Sequence, residues 1–190
     1  MKHLILILTL LPIFTFCGQK IENAKPQIDN SESKTSEAID IASTPSFHAT
    51  YYLIRHAEKD RADPKNQDPS LNSAGMERTK VWTAYFEPIK LDEIFETKYI
   101  RTKQTVSLIA EQKMITPKLY NPNTIYSEEF LKKTNGKKVL IVGHSNTIPY
   151  LANNLINEEK FTEMDDKDNA TLFKVTIDGD DKKVETISVE

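Results

Sequence analysis

Apolar residues along this 190-residue chain gather in short runs, and the segments between the runs carry apolar residues at helical spacing. Thr50-Tyr51-Tyr52-Leu53-Ile54 is a β-branched and aromatic run with no polar alternation beyond its first residue, the pattern of a central strand buried on both faces. Val139-Leu140-Ile141-Val142 repeats that pattern more cleanly between Lys138 and Gly143, and Glu93-Ile94-Phe95 is a shorter version. Asn72 stands as an N-cap ahead of Ala74, Arg78, Val81, Trp82 and Tyr85, which recur at near-helical spacing. Residues 101–112 predict a second helix, with Val106, Ile109 and Ala110 on one face and Pro117 beyond its end. Lys118-Leu119-Tyr120 reads as a small strand, 128–133 as a short helix and 146–156 as a longer one. Residues 172–177 and 184–189 flank Asp178-Gly179-Asp180-Asp181, a hairpin signal. Strands alternating with helices predict an α/β fold: a three-layer sandwich with a mostly parallel central sheet flanked by helices, and a C-terminal β-hairpin at its edge.

The first 46 residues break this rhythm. Residues 4–16 read LILILTLLPIFTF, with Lys2 ahead of them and no charge before Lys20. A basic start and an apolar run shorter than the roughly 20 residues of a membrane span is the layout of a secretory signal. Cys17 ends the run, and the sequence there resembles a bacterial lipoprotein signal, in which a cysteine becomes the new N-terminus and carries the lipid. Phe16 stands where that signal usually has a small residue. Residues 29–46 are rich in Ser, Thr and acids and hold no aromatic residue, so they bury too little apolar surface to offset their ordering entropy and read as a flexible tether. The expected layout is a signal peptide over 1–16, a lipid-attachment site and tether over 17–46, and one catalytic domain over 47–190. The protein is then exported to the periplasm or cell envelope and held at a membrane by its lipid. Release of a Cys17→Ser variant from the membrane fraction is the corresponding check.

Composition narrows the chemistry. The chain carries 25 basic and 28 acidic residues, for a net charge of -3, so nothing in it calls for a nucleic-acid partner. A single cysteine excludes an internal disulfide framework and leaves no basis for a Cys-ligated zinc. The histidines are His3, His48, His56 and His144. Two of them stand at strand ends. Arg55-His56 directly follows the first buried strand, and Gly143-His144 follows the clearest one. In open α/β sheets ligands bind beyond the carboxyl ends of the strands, so both histidines reach one crevice. Arg101 opens a helix shortly after the 93–95 strand, at the same edge. Guanidinium groups bind phosphate oxygens in a planar, bidentate manner, and a helix N-terminus adds backbone donors and positive potential. Two histidines, two arginines and helix starts at one crevice make a site for a phosphoryl group.

The same residues carry a family resemblance. Arg55-His56-Ala57-Glu58 looks like an Arg-His-Gly motif, and Leu71-Asn72-Ser73-Ala74-Gly75 like a Leu-Thr-x-x-Gly helix entry. Arg101-Thr102-Lys103-Gln104-Thr105 matches Arg-Thr-x-Gln-Thr, and Val142-Gly143-His144-Ser145 matches a second histidine motif. In that order, over residues 50–149, they resemble the histidine phosphatase superfamily, the phosphoglycerate-mutase-like proteins. The resemblance is to its short bacterial members, some of which are phosphohistidine phosphatases. It implies a phosphatase that needs no metal or cofactor. His56 would attack phosphorus and carry a phosphohistidine, while Arg55, Arg101 and His144 hold the phosphoryl oxygens. A neutral histidine is a competent nucleophile, and neighbouring guanidinium groups disfavour its protonation. Ala57 departs from the motif's glycine, and Thr97 stands where the family often has serine.

The proton donor is less defined. Glu58 is the nearest carboxylate to the motif and a candidate acid, with pairing to Arg55 or Arg61 as its other reading; Glu128 and Glu129 are further carboxylates. Arg61, Ser145 and Asn146 are candidate substrate contacts, and Ser145 or Asn146 equally a helix cap. A chain without a fixed acid favours good leaving groups, phosphohistidine among them. The segments 59–70 and 121–134 are expected at the entrance, His48 at the surface, and the acidic run 163–168 in a solvated loop, since it lacks the spacing and glycine of a calcium loop. The resemblance implies a phosphorylated small molecule or a phosphoprotein as the substrate. Two other readings stand beside this one. A serine hydrolase would use Ser145, although Thr147 occupies the elbow's second glycine position and no histidine follows His144. A non-catalytic module would hold a phosphorylated ligand in the same crevice.

Overall fold

The computed structural model describes residues 46–190. The expected signal segment, Cys17 and all but the last residue of the expected tether lie outside the described residues. The elements are β1 (His48–Arg55), α1 (Ser73–Phe86), β2 (Glu93–Glu96), α2 (Ile100–Lys113), β3 (Lys118–Leu119), α3 (Glu128–Thr134), β4 (Lys137–Gly143), α4 (Thr147–Ile156), β5 (Thr171–Asp178) and β6 (Asp181–Ser188). They form one six-stranded sheet in the order β3-β2-β4-β1-β5-β6. The first four strands in that order run parallel, while β5 is antiparallel to β1 and β6 to β5. The fold is therefore the expected α/β sandwich with its hairpin at one edge.

The two apolar runs owe their continuity to position. β4 and β1 are the innermost strands, paired from Ala49 with Lys137 to Arg55 with Gly143, and neighbours cover both of their faces. Successive side chains point to opposite faces of a strand. Tyr51, Leu53, Val139 and Ile141 thus pack on one side with Ile148, Leu151 and Leu155 of α4, and Phe130 of α3 lies against the same cluster. Tyr52, Ile54, Leu140 and Val142 pack on the other side with Trp82 and Phe86 of α1 and Val106 and Ile109 of α2. Each such fully buried side chain contributes about 1.5–3 kcal/mol relative to exposure. β6 alternates between exposed and half-buried positions, as an edge strand can.

Helix ends follow local chemistry. The Asn72 side chain accepts from Gly75 N at 2.9 Å, as expected of the N-cap of α1. The start of α4 corrects an expectation: neither Ser145 nor Asn146 caps it through a side chain. Thr147 turns its hydroxyl back to accept from His144 N at 3.0 Å, and Ser145 donates elsewhere. His48 lies at the surface as expected, with Nδ1 on the Asp178 carboxylate at 2.6 Å.

Candidate active site

A cavity of about 680 Å³ opens beyond the carboxyl ends of β1, β2 and β4. Arg55 and His56 enter it from β1, Thr97, Lys98 and Tyr99 from the β2–α2 turn, Arg101 from the first turn of α2, and His144, Ser145 and Asn146 from the turn after β4. The four residues expected from the strand-end pattern are thus brought together. The imidazoles of His56 and His144 meet edge to face with their centroids 5.4 Å apart.

His56 is 3% exposed, and its backbone is fixed on both sides. Its N–H donates to Gly143 O at 3.0 Å, and its carbonyl accepts from Asn169 Nδ2 at 2.8 Å. Its Nδ1 lies 2.7 Å from Ala57 O. A carbonyl only accepts, so Nδ1 holds the ring proton and Nε2 keeps its lone pair. Burial, with His144, Arg55 and Arg101 adding to it, pushes the His56 pKa down to about 3 against the opposing bond to Ala57. Burial and the charges of Arg101, Arg55 and Lys59 push that of His144 down to about 4. Both rings are neutral at pH 7. His144 Nε2 shares a hydrogen bond with the Thr97 hydroxyl at 3.1 Å, so Thr97 supports the second histidine.

The motif residues that do not enter the cavity hold those that do. Thr105 Oγ1 accepts from Ala57 N at 2.9 Å and donates to Arg101 O at 2.7 Å, joining the two arginine-bearing segments. Gln104 accepts from Leu71 N at 2.7 Å, and Thr102 donates to Tyr99 O at 2.8 Å, closing the turn into α2. Gly75 lets α1 press against the first histidine loop: a Cβ there would lie 2.1 Å from Glu58 O. Gly143 admits the Tyr120 hydroxyl, which a Cβ would meet at 2.7 Å and which donates to Val142 O. Ala57 is fully buried at an ordinary backbone φ, so the absent glycine costs no strain there.

The arginines are oriented with donors to spare. Arg55 gives Nη1 to Asp165 O at 2.8 Å and Asp168 O at 3.2 Å, and Nη2 to Asp166 Oδ1 at 2.8 Å. Arg101 stacks its guanidinium over the Tyr99 ring at 4.2 Å and reaches Asp68 Oδ1 and Gln67 O only at 3.5 Å. The Nε–H groups of both arginines are buried and unpartnered. Two unfilled N–H donors beside a pair of neutral histidines are what a bound oxyanion completes.

The remaining expected residues divide. Ser145 and Asn146 line the cavity, whereas Glu58 and Arg61 line an adjoining cavity of about 350 Å³. Glu58 pairs with Arg78 at 3.3 Å, not with Arg55 or Arg61. Arg61 pairs with Asp166 at 2.8 Å. Glu128 and Glu129 pair with Lys132 and Lys133 on α3, and neither lines the main cavity. Ser145 Oγ donates to Glu163 Oε1 at 2.9 Å, so its hydroxyl faces a carboxylate, and among the described residues no histidine bonds to it as a base would. The acidic run is the mostly exposed loop that was expected, and it has contacts beyond that reading: Met164 N donates to Ser145 O at 3.0 Å, and Asp165, Asp166 and Asp168 clasp Arg55. It ties the two histidine loops together. Lys59, and 121–123 of the second expected entrance segment, line the cavity, while sequence reasoning passed over Tyr99 and Asn169. Their spacing carries no periodic signal, and only their place beside an already identified motif could have drawn attention.

Residues 51–121 match the family described as Histidine phosphatase superfamily (branch 1). Curated protein sequences gave no match. Among solved structures, the protein histidine phosphatase SixA complexed with tungstate is similar at a TM-score of 0.58 and 12% identity, over 73% of this chain and 96% of its own. Phosphoglycerate mutase from Bacillus anthracis str. Sterne is similar at 0.57 and 16% identity, over 75% of this chain and 93% of its own. The SixA protein of Agrobacterium tumefaciens, assigned as a phosphohistidine phosphatase, is similar at 0.56 and 21% identity, over 74% of this chain and 98% of its own. At such identities the likeness is one of fold. The described domain therefore carries the histidine phosphatase superfamily signature over residues 51–121, set in a phosphoglycerate-mutase-like fold.

Proposed function

We propose that this protein is a phosphatase that works without a metal, through a phosphohistidine on His56, and that phosphohistidine or another phosphoryl group on a good leaving group is its substrate. The observation that carries this reading is the pairing of two neutral imidazoles with the unpartnered Nε–H donors of Arg55 and Arg101. The His56 Nε2 lone pair attacks phosphorus. The new P–N bond forms as the bond to the leaving group breaks and the leaving group departs with the electron pair. The transferring phosphoryl group has three oxygens to stabilise, and fixed cations do so by position and charge. Water then attacks phosphorus, the P–N bond breaks with its pair returning to Nε2, and the proton that the water sheds passes through solvent to the departed leaving group.

The choice of leaving group follows from the acids. Among the described residues Asp166 is the one carboxylate lining the cavity, and hydrogen bonds from Arg61 and Arg55 hold its pKa down at about 2. It is ionised at neutral pH and cannot donate a proton. A leaving group that departs unprotonated is then favoured. Across phosphohistidine, phenyl phosphates of falling phenol pKa, and simple alkyl phosphates, kcat/KM is expected to rise steeply as the leaving group improves, and to persist in excess chelator. Equal rates across the series would contradict the missing acid, and loss of activity with chelator would contradict the metal-free route.

A further inference from the structure

Lys59 stands three residues after His56, where the main cavity meets the adjoining one, and lines both. Its backbone is held in place. It bridges Leu71 in an isolated antiparallel pair, its carbonyl accepts from Asn72 Nδ2, and the flanking bonds Asp60 N to Ser70 O and Asn72 N to Glu58 O close at 2.8 and 3.0 Å. The amine on this fixed base has no ion pair among the described residues. Asp166 lines both cavities beside it, but gives one oxygen to Arg55 and the other to Arg61. A half-buried cation thus stands near Arg55, Arg61 and Arg101 without an ion pair of its own, and burial together with those charges lowers its pKa against the opposing charge of Asp166. On the phosphatase reading the buried, unpartnered Nε–H donors of the two cavity arginines are assigned to the phosphoryl group, which leaves the Lys59 amine for another group.

Resting on the phosphatase reading above, we propose that Lys59 is a specificity-determining residue, and that its amine takes a second anionic group of the substrate, a carboxylate or a second phosphate, carried close to the transferring phosphoryl group. A carboxylate or phosphate oxygen at that amine supplies the missing counter-charge in a partly desolvated place, where a charge-assisted hydrogen bond is strong. A substrate with the phosphoryl group alone leaves the cation uncompensated.

The test needs no turnover. Binding of phenyl phosphonate, 3-carboxyphenyl phosphonate and 3-phosphonophenyl phosphonate is measured by calorimetry on the whole protein and on Lys59→Met and Lys59→Arg variants. The parent is expected to bind a doubly substituted ligand about tenfold tighter than phenyl phosphonate, a preference that Lys59→Met abolishes and Lys59→Arg keeps. The carboxylate and phosphonate arms, the latter standing in for a second phosphate, tell the two kinds of anion apart. Equal affinity for all three ligands in the parent, or a preference that survives in Lys59→Met, overturns the proposal. Hydrolysis of the matching phosphate esters is followed in parallel. A binding preference without any turnover defeats the phosphatase reading and leaves the anion site standing.

Discussion

His56 has one ring nitrogen committed to Ala57 O and the other free, and burial keeps the ring neutral with its pKa near 3. Its partner arginines are tied by their terminal nitrogens and left open at Nε. The two arginines differ in how firmly they are tied. Arg55 has three short bonds, whereas Arg101 has a stacked ring and two contacts at 3.5 Å. Arg101→Ala should therefore leave the fold intact and remove one charge-assisted contact to the phosphoryl group. That is expected to cost on the order of 10- to 100-fold in kcat/KM, with thermal stability nearly unchanged. An equal loss of stability would show Arg101 to be structural. At this scale the sequence was legible for Arg55, His56, Arg101 and His144, because strand ends and helix starts place them whatever else packs nearby. Glu58 was not legible. Its partner, Arg78, is set by how α1 crosses the loop, which no spacing along the chain reveals.

At the scale of elements, the site is a set of loops braced against one another. α1 bears on the first histidine loop at Gly75, α2 holds that loop through Thr105, and the 163–169 segment spans both histidine loops. Gly75→Ala places a methyl 2.1 Å from Glu58 O, a backbone atom that cannot swing aside. It should destabilise the domain by about 1–3 kcal/mol, as overpacking does, and lower activity through displacement of Lys59 and His56. Denaturant unfolding and kinetics on the same sample check both, and a fully stable variant would show that the contact is not tight. Alternating apolar runs and helical spacing made every element from β1 to β6 legible, with bounds shifted by a residue or a few. The exposed loop over 163–168 was legible from its charge, but its clasp on Arg55 was not, because the two lie more than a hundred residues apart in the chain.

For the whole molecule, the parallel strands bring both histidines to one edge, and their burial links the site to stability. Unfolding returns His56 and His144 from about 3 and about 4 toward the ordinary value of 6.5. Between those values the unfolded chain binds more protons than the folded one. Their contribution to stability is thus complete above pH 6.5 and is lost as pH falls through the acidic range, by roughly 1.4 kcal/mol per pH unit for each buried ring. Melting temperature should fall from pH 6.5 to pH 4.5, less steeply in His144→Gln; a flat profile in the parent would mean that the rings are not held neutral. The fold class was legible as a whole because a doubly buried strand pair and an edge hairpin leave different patterns, while the depth of the cavity depends on side chains converging from three loops. The central claim is covalent chemistry at His56. Rapid mixing with a radiolabelled aryl phosphate, alkaline quenching, and peptide mapping should find label on His56 at a level approaching one per protein molecule in the first turnover, and none in His56→Ala. Turnover with no label on the protein, or with label on another residue, would contradict it.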